Sequence, residues 1–377
     1  MKYYIIAGEA SGDLYGSNLV RELKLKDSKA DIRAWGGDLM QEQGVDLVKH
    51  YKDHNYMGFL EVIRNLGTIL KNITFCKKDI KAFSPDALIL IDFPGFNMRI
   101  AKYFYQYSFP VLYYIAPQVW AWKENRVEAI KKYVDKLYVI LPFEKEFLKK
   151  HGVESNYVGH PLLEHILNFK NKASVSKSKF TVKHGLEVGK PIISLLPGSR
   201  KQEIEKKLPV MLRAVSTYSK EFNIVIAGMK NFKDLYGKIT SNSSAKVIYM
   251  DTYNLLNNSS RALVTSGTAT LETAFFNVPQ IVCYKTSWLS YIIAKSLVKI
   301  KYISLVNLIM EKEIVKELIQ NNLSVFKLTK ELNILNDDLA LNKMKESYQL
   351  LIAKCQGENV SKNIATDMFK TIESFQK

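Results

Sequence analysis

Twice along this chain, short apolar runs rich in β-formers alternate with stretches of helical spacing, and this alternation constrains the fold more than any other feature. The first half carries "YYIIA" (3–7), "ALILI" (87–91), "VLYYIA" (111–116), "LYVIL" (137–141) and "NYVG" (156–159). After the hydrophilic "NFKNKASVSKSKF" (168–180) come "IISLL" (192–196), "NIVIA" (223–227), "KVIYM" (246–250), "ALVTS" (262–266) and "QIVCY" (280–284). Strands that are apolar almost throughout belong to parallel sheets covered on both faces. The sequence therefore predicts an α/β protein of two doubly wound, Rossmann-like domains, over 1–167 and 185–355, hinged near 165–185 and facing across a cleft. A chain of 377 residues exceeds one ordinary core and suits two. In such folds ligands sit at the carboxyl ends of the strands, so the segments just after each strand carry the functional information.

Composition narrows the partners. With 47% apolar and 24% charged residues the chain is a folded globular protein. Its 54 Lys and Arg against 37 Asp and Glu, a net +17, favour polyanions: nucleic acid, an anionic membrane face or phosphorylated substrates. Lysine-rich usage also arises from genomic bias, so charge alone selects none of these. Cys76, Cys283 and Cys355 lie far apart without zinc-ligand spacing, which suits a reducing cytoplasm and predicts no metal site. The opening "MKYYIIAGEASGD" is too short in its apolar run for a signal peptide. No run approaches the roughly 18 apolar residues that span a bilayer. A cytoplasmic or peripheral protein is expected.

In "LPGSR" (196–200) a β-rich run turns through Pro and Gly into a helix, with Ser199 and Gln202 at capping-box spacing and Arg200 at the helix start. A cation is mildly disfavoured there by the helix dipole, unless an anion lies between guanidinium and backbone amides. The competing reading is a solvated surface Arg. In "LVTSGTATLETAFFNVPQ" (263–280) Ser266, Gly267 and Thr268 open a second helix suited to anions, and Glu272 one turn on suits ribose hydroxyls. Two helix N-termini with Arg200 would hold a diphosphate without a metal.

In the first half, "AGEASGD" follows the first strand; it is not GxGxxG, and Glu9 would repel a phosphate but suit a sugar hydroxyl. Asp92 of "DFPGFN" ends a strand before Pro94 and Gly95, where partial burial would make it a general base, and capping a neighbouring amide is the alternative. Trp120 and Trp122 in "APQVWAWKENRV" read foremost as packing, with ligand stacking or an acyl groove as the second reading. The segments 56–75 and 288–305 combine helical apolar spacing with lysines, which suits either an anionic membrane interface or a helix packed on a sheet.

Taken in order, "AGEASGD", "MGFLEV", "IDFPGFN", "APQVWAWKENRV", "LPFE", "VGHPL", "LPGSR", "SGTATLE" and "YISLVNLI" resemble the lipid-A-disaccharide synthase family, inverting glycosyltransferases of the two-domain GT-B fold. The resemblance implies transfer of 2,3-diacylglucosamine from UDP to the 6-hydroxyl of 2,3-diacylglucosamine 1-phosphate, giving a β(1→6) disaccharide and UDP. It implies Asp92 as base, Arg200, Ser266, Gly267, Thr268, Glu272, Asn307 and Gln320 at the UDP, and Glu9, Ser11 and Asp13 toward the substrates from the first domain. It also implies no cofactor, no nucleic-acid partner and a peripheral place on the anionic inner face of the cytoplasmic membrane. A homodimer exchanging C-terminal segments is known in relatives, and the last helical pattern (359–376) would pack back on the first domain. Two departures stand out: Gly95 replaces a second acid in "DFPGFN", and Val306 replaces a Pro before Asn307. Another UDP-sugar enzyme of the same fold, such as an N-acetylglucosamine transferase to a lipid carrier or a 2-epimerase, is the competing enzyme reading. A basic nucleic-acid-binding protein is the competing reading of another class; it would interleave Lys and Arg with exposed aromatics on one face, whereas the informative residues here sit at strand ends.

Overall fold

The computed structural model describes all residues except 54–64, 123–125, 289–290, 293–294, 296–299 and 377. The amphipathic segment 56–75 is thus described only from residue 65 onward, and much of 288–305, like Lys123–Asn125, lies outside the described residues. The chain divides into two compact units, one of Met1–Glu164 and Cys355–Lys377, the other of His165–Ser296 and Ile300–Lys354.

The first unit is built on six parallel strands: β1 (Lys2–Ala7), β2 (Asp31–Gly36), β3 (Asp46–His50), β4 (Ala87–Ile91), β5 (Val111–Tyr114) and β6 (Lys136–Tyr138). Their order across the sheet is β3-β2-β1-β4-β5-β6. The strands β4 and β5 are buried at every residue, and β1 at all but Lys2, because helices cover both faces. The strand expected at 156–159 does not form; Asn156 makes only an isolated bridge to Tyr138, and helix Pro161–Lys172 follows at once. Conversely, β2 and β3 went unrecognised in the sequence. Asp31 and Arg33 interrupt the first, and the second is an edge strand buried nowhere along its length, so neither shows a continuous apolar run. The final helix, Val360–Phe375, packs against helix Ala10–Lys26 in this unit. Its return is fixed by Ser361, whose hydroxyl and amide donate to the Glu164 carboxylate, and by Asp367, which accepts from Tyr138 and Asn156 and pairs with Lys136.

The second unit repeats the plan with β7 (Ile192–Leu196), β8 (Asn223–Gly228), β9 (Lys246–Tyr249), β10 (Arg261–Thr265), β11 (Gln280–Tyr284) and β12 (Lys316–Ile319), ordered β12-β11-β10-β7-β8-β9. Every pairing is parallel. β12, "KELI", sets two charged residues before two apolar ones, as an edge strand tolerates, and its short apolar run escaped the sequence reading. In each sheet the strand order reverses once, between β1 and β4 and between β7 and β10. At such a switch point adjacent loops diverge and leave a crevice beyond the strand ends. No helix among the described residues is long and apolar enough to cross a membrane.

Candidate active site

In the first unit the crevice lies between the loops after β1 and β4, whose ends stand side by side with Ala7 opposite Ile91. Gly8 follows β1, and a Cβ there would come 2.3 Å from the Phe93 ring, so the two loops pack only because position 8 is glycine. Glu9 is the N-cap residue of helix Ala10–Lys26, extended and half-buried, and Ser11 lies half-buried in the first turn. Asp13 behaves differently. Its carboxylate is buried and accepts from the amides of Gly37, Leu39 and Met40 at 2.8, 3.1 and 3.0 Å, capping the short helix after β2. The structure therefore gives Asp13 the task of fixing a neighbouring loop.

Asp92 and Phe93 both adopt left-handed backbone conformations, with φ of 47° and 51°. For non-glycine residues this stores roughly 1–3 kcal/mol each and persists only where surroundings impose it. Here the Tyr113 hydroxyl donates to the Asp92 carbonyl at 2.6 Å, Asn97 Nδ2 donates to the same oxygen at 2.8 Å, and the Asp92 amide donates to Tyr114 at 3.1 Å. Phe93 stacks on Phe96 with ring centroids 5.1 Å apart. Desolvation of the Asp92 carboxyl at this turn pushes its pKa up to about 6, with a bond from the Phe93 amide opposing. A carboxylate so poised is ionised at neutral pH yet a stronger base than a solvated one. Gly95 meets nothing within 4 Å, so the missing second acid would have stood in open space.

Glu144, of "LPFE", had no assigned role in the sequence reading. It is buried, accepts from Trp120 Nε1 at 3.0 Å and from the amides of Ile140 and Leu141 at 3.2 and 2.9 Å, and burial pushes its carboxyl up to about 7, with the Asp92 charge adding to the rise. Trp120 also packs edge-on against Phe143 at 4.9 Å. This indole therefore anchors the segment after β5, in line with the packing reading.

In the second unit the crevice lies between the loops after β7 and β10. The helix after β7 runs Lys201–Val215 with Arg200 as its N-cap residue. The Ser199–Gln202 capping box does not form; the Ser199 amide donates instead to Glu203 Oε2 at 3.2 Å. Gly198 has φ of +123°, and a Cβ there would strike Glu203. The carboxylate thus fills the turn and leaves Arg200 at the exposed helix mouth.

After β10, Gly267 (φ +111°) is the N-cap residue of helix Thr268–Phe275, and half-buried Ser266 donates to the Ile303 carbonyl at 3.0 Å. Glu272 accepts from the Tyr253 hydroxyl at 3.3 Å, and burial raises its carboxyl to about 7. Asn307 is fully occupied: Nδ2 donates to Val315 and Glu317, and Oδ1 accepts from the amides of Ile314 and Val315. All four of its hydrogen-bonding positions are filled within the protein, so its side chain shapes the loop after helix Leu305–Met310. Glu317, also missed in the sequence, gathers the amides of Ile303 and Ser304, the Ser304 hydroxyl and Asn307.

Gln320 follows β12 with φ of +52°. It is 5% exposed; Oε1 accepts from Thr286, whereas Nε2 has no partner among the described residues. An orphan buried donor costs about 1–3 kcal/mol and marks a place where a ligand acceptor would fit. Among the described residues no group of three or more His, Cys, Asp or Glu could hold a metal.

A family model described as lipid-A-disaccharide synthetase matches residues 3–369. Curated proteins named lipid-A-disaccharide synthase are similar along most of the chain. One from Syntrophus aciditrophicus is 38% identical over 84% of this chain and 83% of its own. One from Geobacter metallireducens is 35% identical over 89% and 87%. One from Legionella pneumophila, lipid-A-disaccharide synthase 1, is 34% identical over 93% and 94%. Among solved structures, a UDP-GlcNAc 2-epimerase from Neisseria meningitidis bound to UDP-GlcNAc has a TM-score of 0.68 at 12% identity, covering 98% of this chain and 100% of its own. A Methanocaldococcus jannaschii UDP-GlcNAc 2-epimerase in complex with UDP-GlcNAc and UDP has a TM-score of 0.62 at 16% identity, covering 93% and 98%. At such identities these structures share the fold alone.

Proposed function

This chain belongs to the lipid-A-disaccharide synthase family, and we propose that it performs that family's glycosyl transfer with Asp92 as the base and the loops after β7 and β10 as the diphosphate site. The reaction moves 2,3-diacylglucosamine from UDP to the 6-hydroxyl of 2,3-diacylglucosamine 1-phosphate. The acceptor oxygen forms a bond to the anomeric carbon, the bond from that carbon to the UDP β-phosphate oxygen breaks on the opposite face, and the hydroxyl proton passes to Asp92. Inversion at carbon follows from this in-line exchange.

The observation that carries the reading is the strained Asp92 turn: a base raised toward neutrality, held rigidly at the switch point beside the Glu9 loop. Glu9 and Ser11 suit sugar hydroxyls there. In the second unit, Arg200 and the amides opening helices Lys201–Val215 and Thr268–Phe275 suit the diphosphate, whose growing charge they would stabilise as it departs. Gly267 permits close approach of the backbone, and Ser266 and Thr268 add hydroxyls. Glu272, whose carboxyl burial raises to about 7, suits the ribose hydroxyls, and the orphan Gln320 donor suits a carbonyl or hydroxyl of the nucleotide. The 2-epimerase alternative is not favoured, since the similar curated relatives are named synthases.

A peripheral place on an anionic membrane face is supported by helix Leu66–Phe83, which exposes Leu66, Leu70 and Phe75 and carries Lys77 and Lys81 over the Tyr103 ring at 4.1 and 5.1 Å. The test of the central reading is UDP release by purified protein given UDP-2,3-diacylglucosamine with and without the acceptor. Acceptor-dependent release that collapses in Asp92→Asn supports it. Release without acceptor, or undiminished in the variant, overturns the base assignment.

A further inference from the structure

Helix Lys201–Val215 turns one charged side chain inward. Lys207 is 1% exposed, among Ile204, Leu208 and Met211, which are wholly buried. Its ammonium donates to the hydroxyl of Thr265, the last residue of β10, and lies 3.6 Å from the Glu203 carboxylate one turn earlier. Burying an ammonium beside a single partner is unfavourable against an apolar side chain of similar volume, so packing alone does not account for it. Its two partners do. Thr265 immediately precedes Ser266, Gly267 and Thr268, and Glu203 is the carboxylate that holds the Ser199 amide and fills the Gly198 turn. One buried cation therefore joins the loops after β7 and β10.

We propose that Lys207 is a positioning residue for the nucleotide diphosphate, locking the two phosphate loops in register and adding a buried positive charge behind Arg200. The inference rests on the nucleotide reading given above. The charged and titratable groups facing Lys207 are Glu203 on its own helix, Arg200 at the helix start and Cys283 on β11. Burial lowers the lysine's pKa, opposed by Glu203, and the same burial pushes the Cys283 thiol up to about 12. At the effective dielectric of such sites, a unit charge several ångströms from a diphosphate is worth roughly tenfold to a hundredfold in binding.

Calorimetric titration of the full chain with UDP and with uridine, for wild type, Lys207→Met and Lys207→Arg, tests this. The expected result is UDP binding weakened roughly tenfold to a hundredfold in Lys207→Met. Uridine binding should stay within about twofold, and most UDP affinity should return in Lys207→Arg. Wild-type UDP affinity should fall at alkaline pH before an ordinary lysine titrates, a limb absent from Lys207→Met. Equal UDP affinity in wild type and Lys207→Met, or equal losses for UDP and uridine, overturns the inference while leaving the nucleotide site standing. Failure of wild type to bind UDP at all overturns the nucleotide reading itself. Should Lys207→Met not fold, a wild-type UDP affinity flat into the alkaline range is decisive against the proposal.

Discussion

Replacing Asp92 with Asn should make the protein more stable at neutral pH while abolishing transfer. The carboxyl is raised by burial from 3.8 to about 6, so between those values the folded state binds more protons than the unfolded state. Stability therefore falls as pH rises through that window and is flat above it. A shift of about two units corresponds to about 3 kcal/mol at most, and residual solvent contact reduces this to about 1–3 kcal/mol. Asn keeps the shape without the charge. Asp92→Asn should gain that amount over wild type at about pH 7.5 and little at about pH 3.5, where the wild-type carboxyl is neutral in the folded state and mostly neutral in the unfolded one. Urea unfolding of both proteins at the two pH values, followed by signals from the first unit, measures it. In parallel, wild-type kcat/KM should rise with pH through an acid limb near 6, the region in which Asp92 ionises. A variant no more stable at about pH 7.5 than at about pH 3.5, relative to wild type, would refute the desolvation argument and with it the poised base.

Gly8→Ala drives a methyl to 2.3 Å from the Phe93 ring and displaces the Asp92 turn. Steady-state kinetics should show kcat lowered roughly tenfold to a hundredfold with UDP affinity unchanged. Asn307→Ala removes four internal hydrogen bonds and leaves the Ile314 and Val315 amides unpaired, which should cost the second unit about 2–4 kcal/mol in urea unfolding. Trp120→Phe keeps the contact with Phe143 but takes a donor from buried Glu144; stability should fall by about 1–2 kcal/mol with the transfer rate little altered, as an assay of both properties would show.

The candidate strand ends were legible because their chemistry is local. Arg200 at a helix mouth, Ser266-Gly267-Thr268 opening another helix and Asp92 before a Pro-Gly turn each announce themselves within five residues. What stayed hidden depends on partners distant in sequence. Asp13 and Asn307 read as polar residues in functional motifs, yet Asp13 is engaged by amides some 24 to 27 positions away and Asn307 by Ile314, Val315 and Glu317 beyond its helix. Lys207 reads as one of two lysines in "EIEKK"; helical phase sets it, unlike Lys206, on the face of Ile204, Leu208 and Met211, but does not reveal that its ammonium meets a threonine 58 positions on. The capping box failed for a related reason: Ser199 and Gln202 have the right spacing, but Gly198 at φ +123° moves the helix start by one residue and admits Glu203 in their place. Backbone strain was equally invisible. No residue in "DFPGFN" requires a left-handed turn, and Asp92 adopts one only because Tyr113 and Asn97 hold its carbonyl from β5 and from the following helix. The identity of a reactive group can thus be read from its neighbours in the chain. The raised pKa of the Asp92 carboxyl comes from burial, opposed by the Phe93 amide, and the turn that places it there is held through its carbonyl by Tyr113 and Asn97, contacts that no local motif announces.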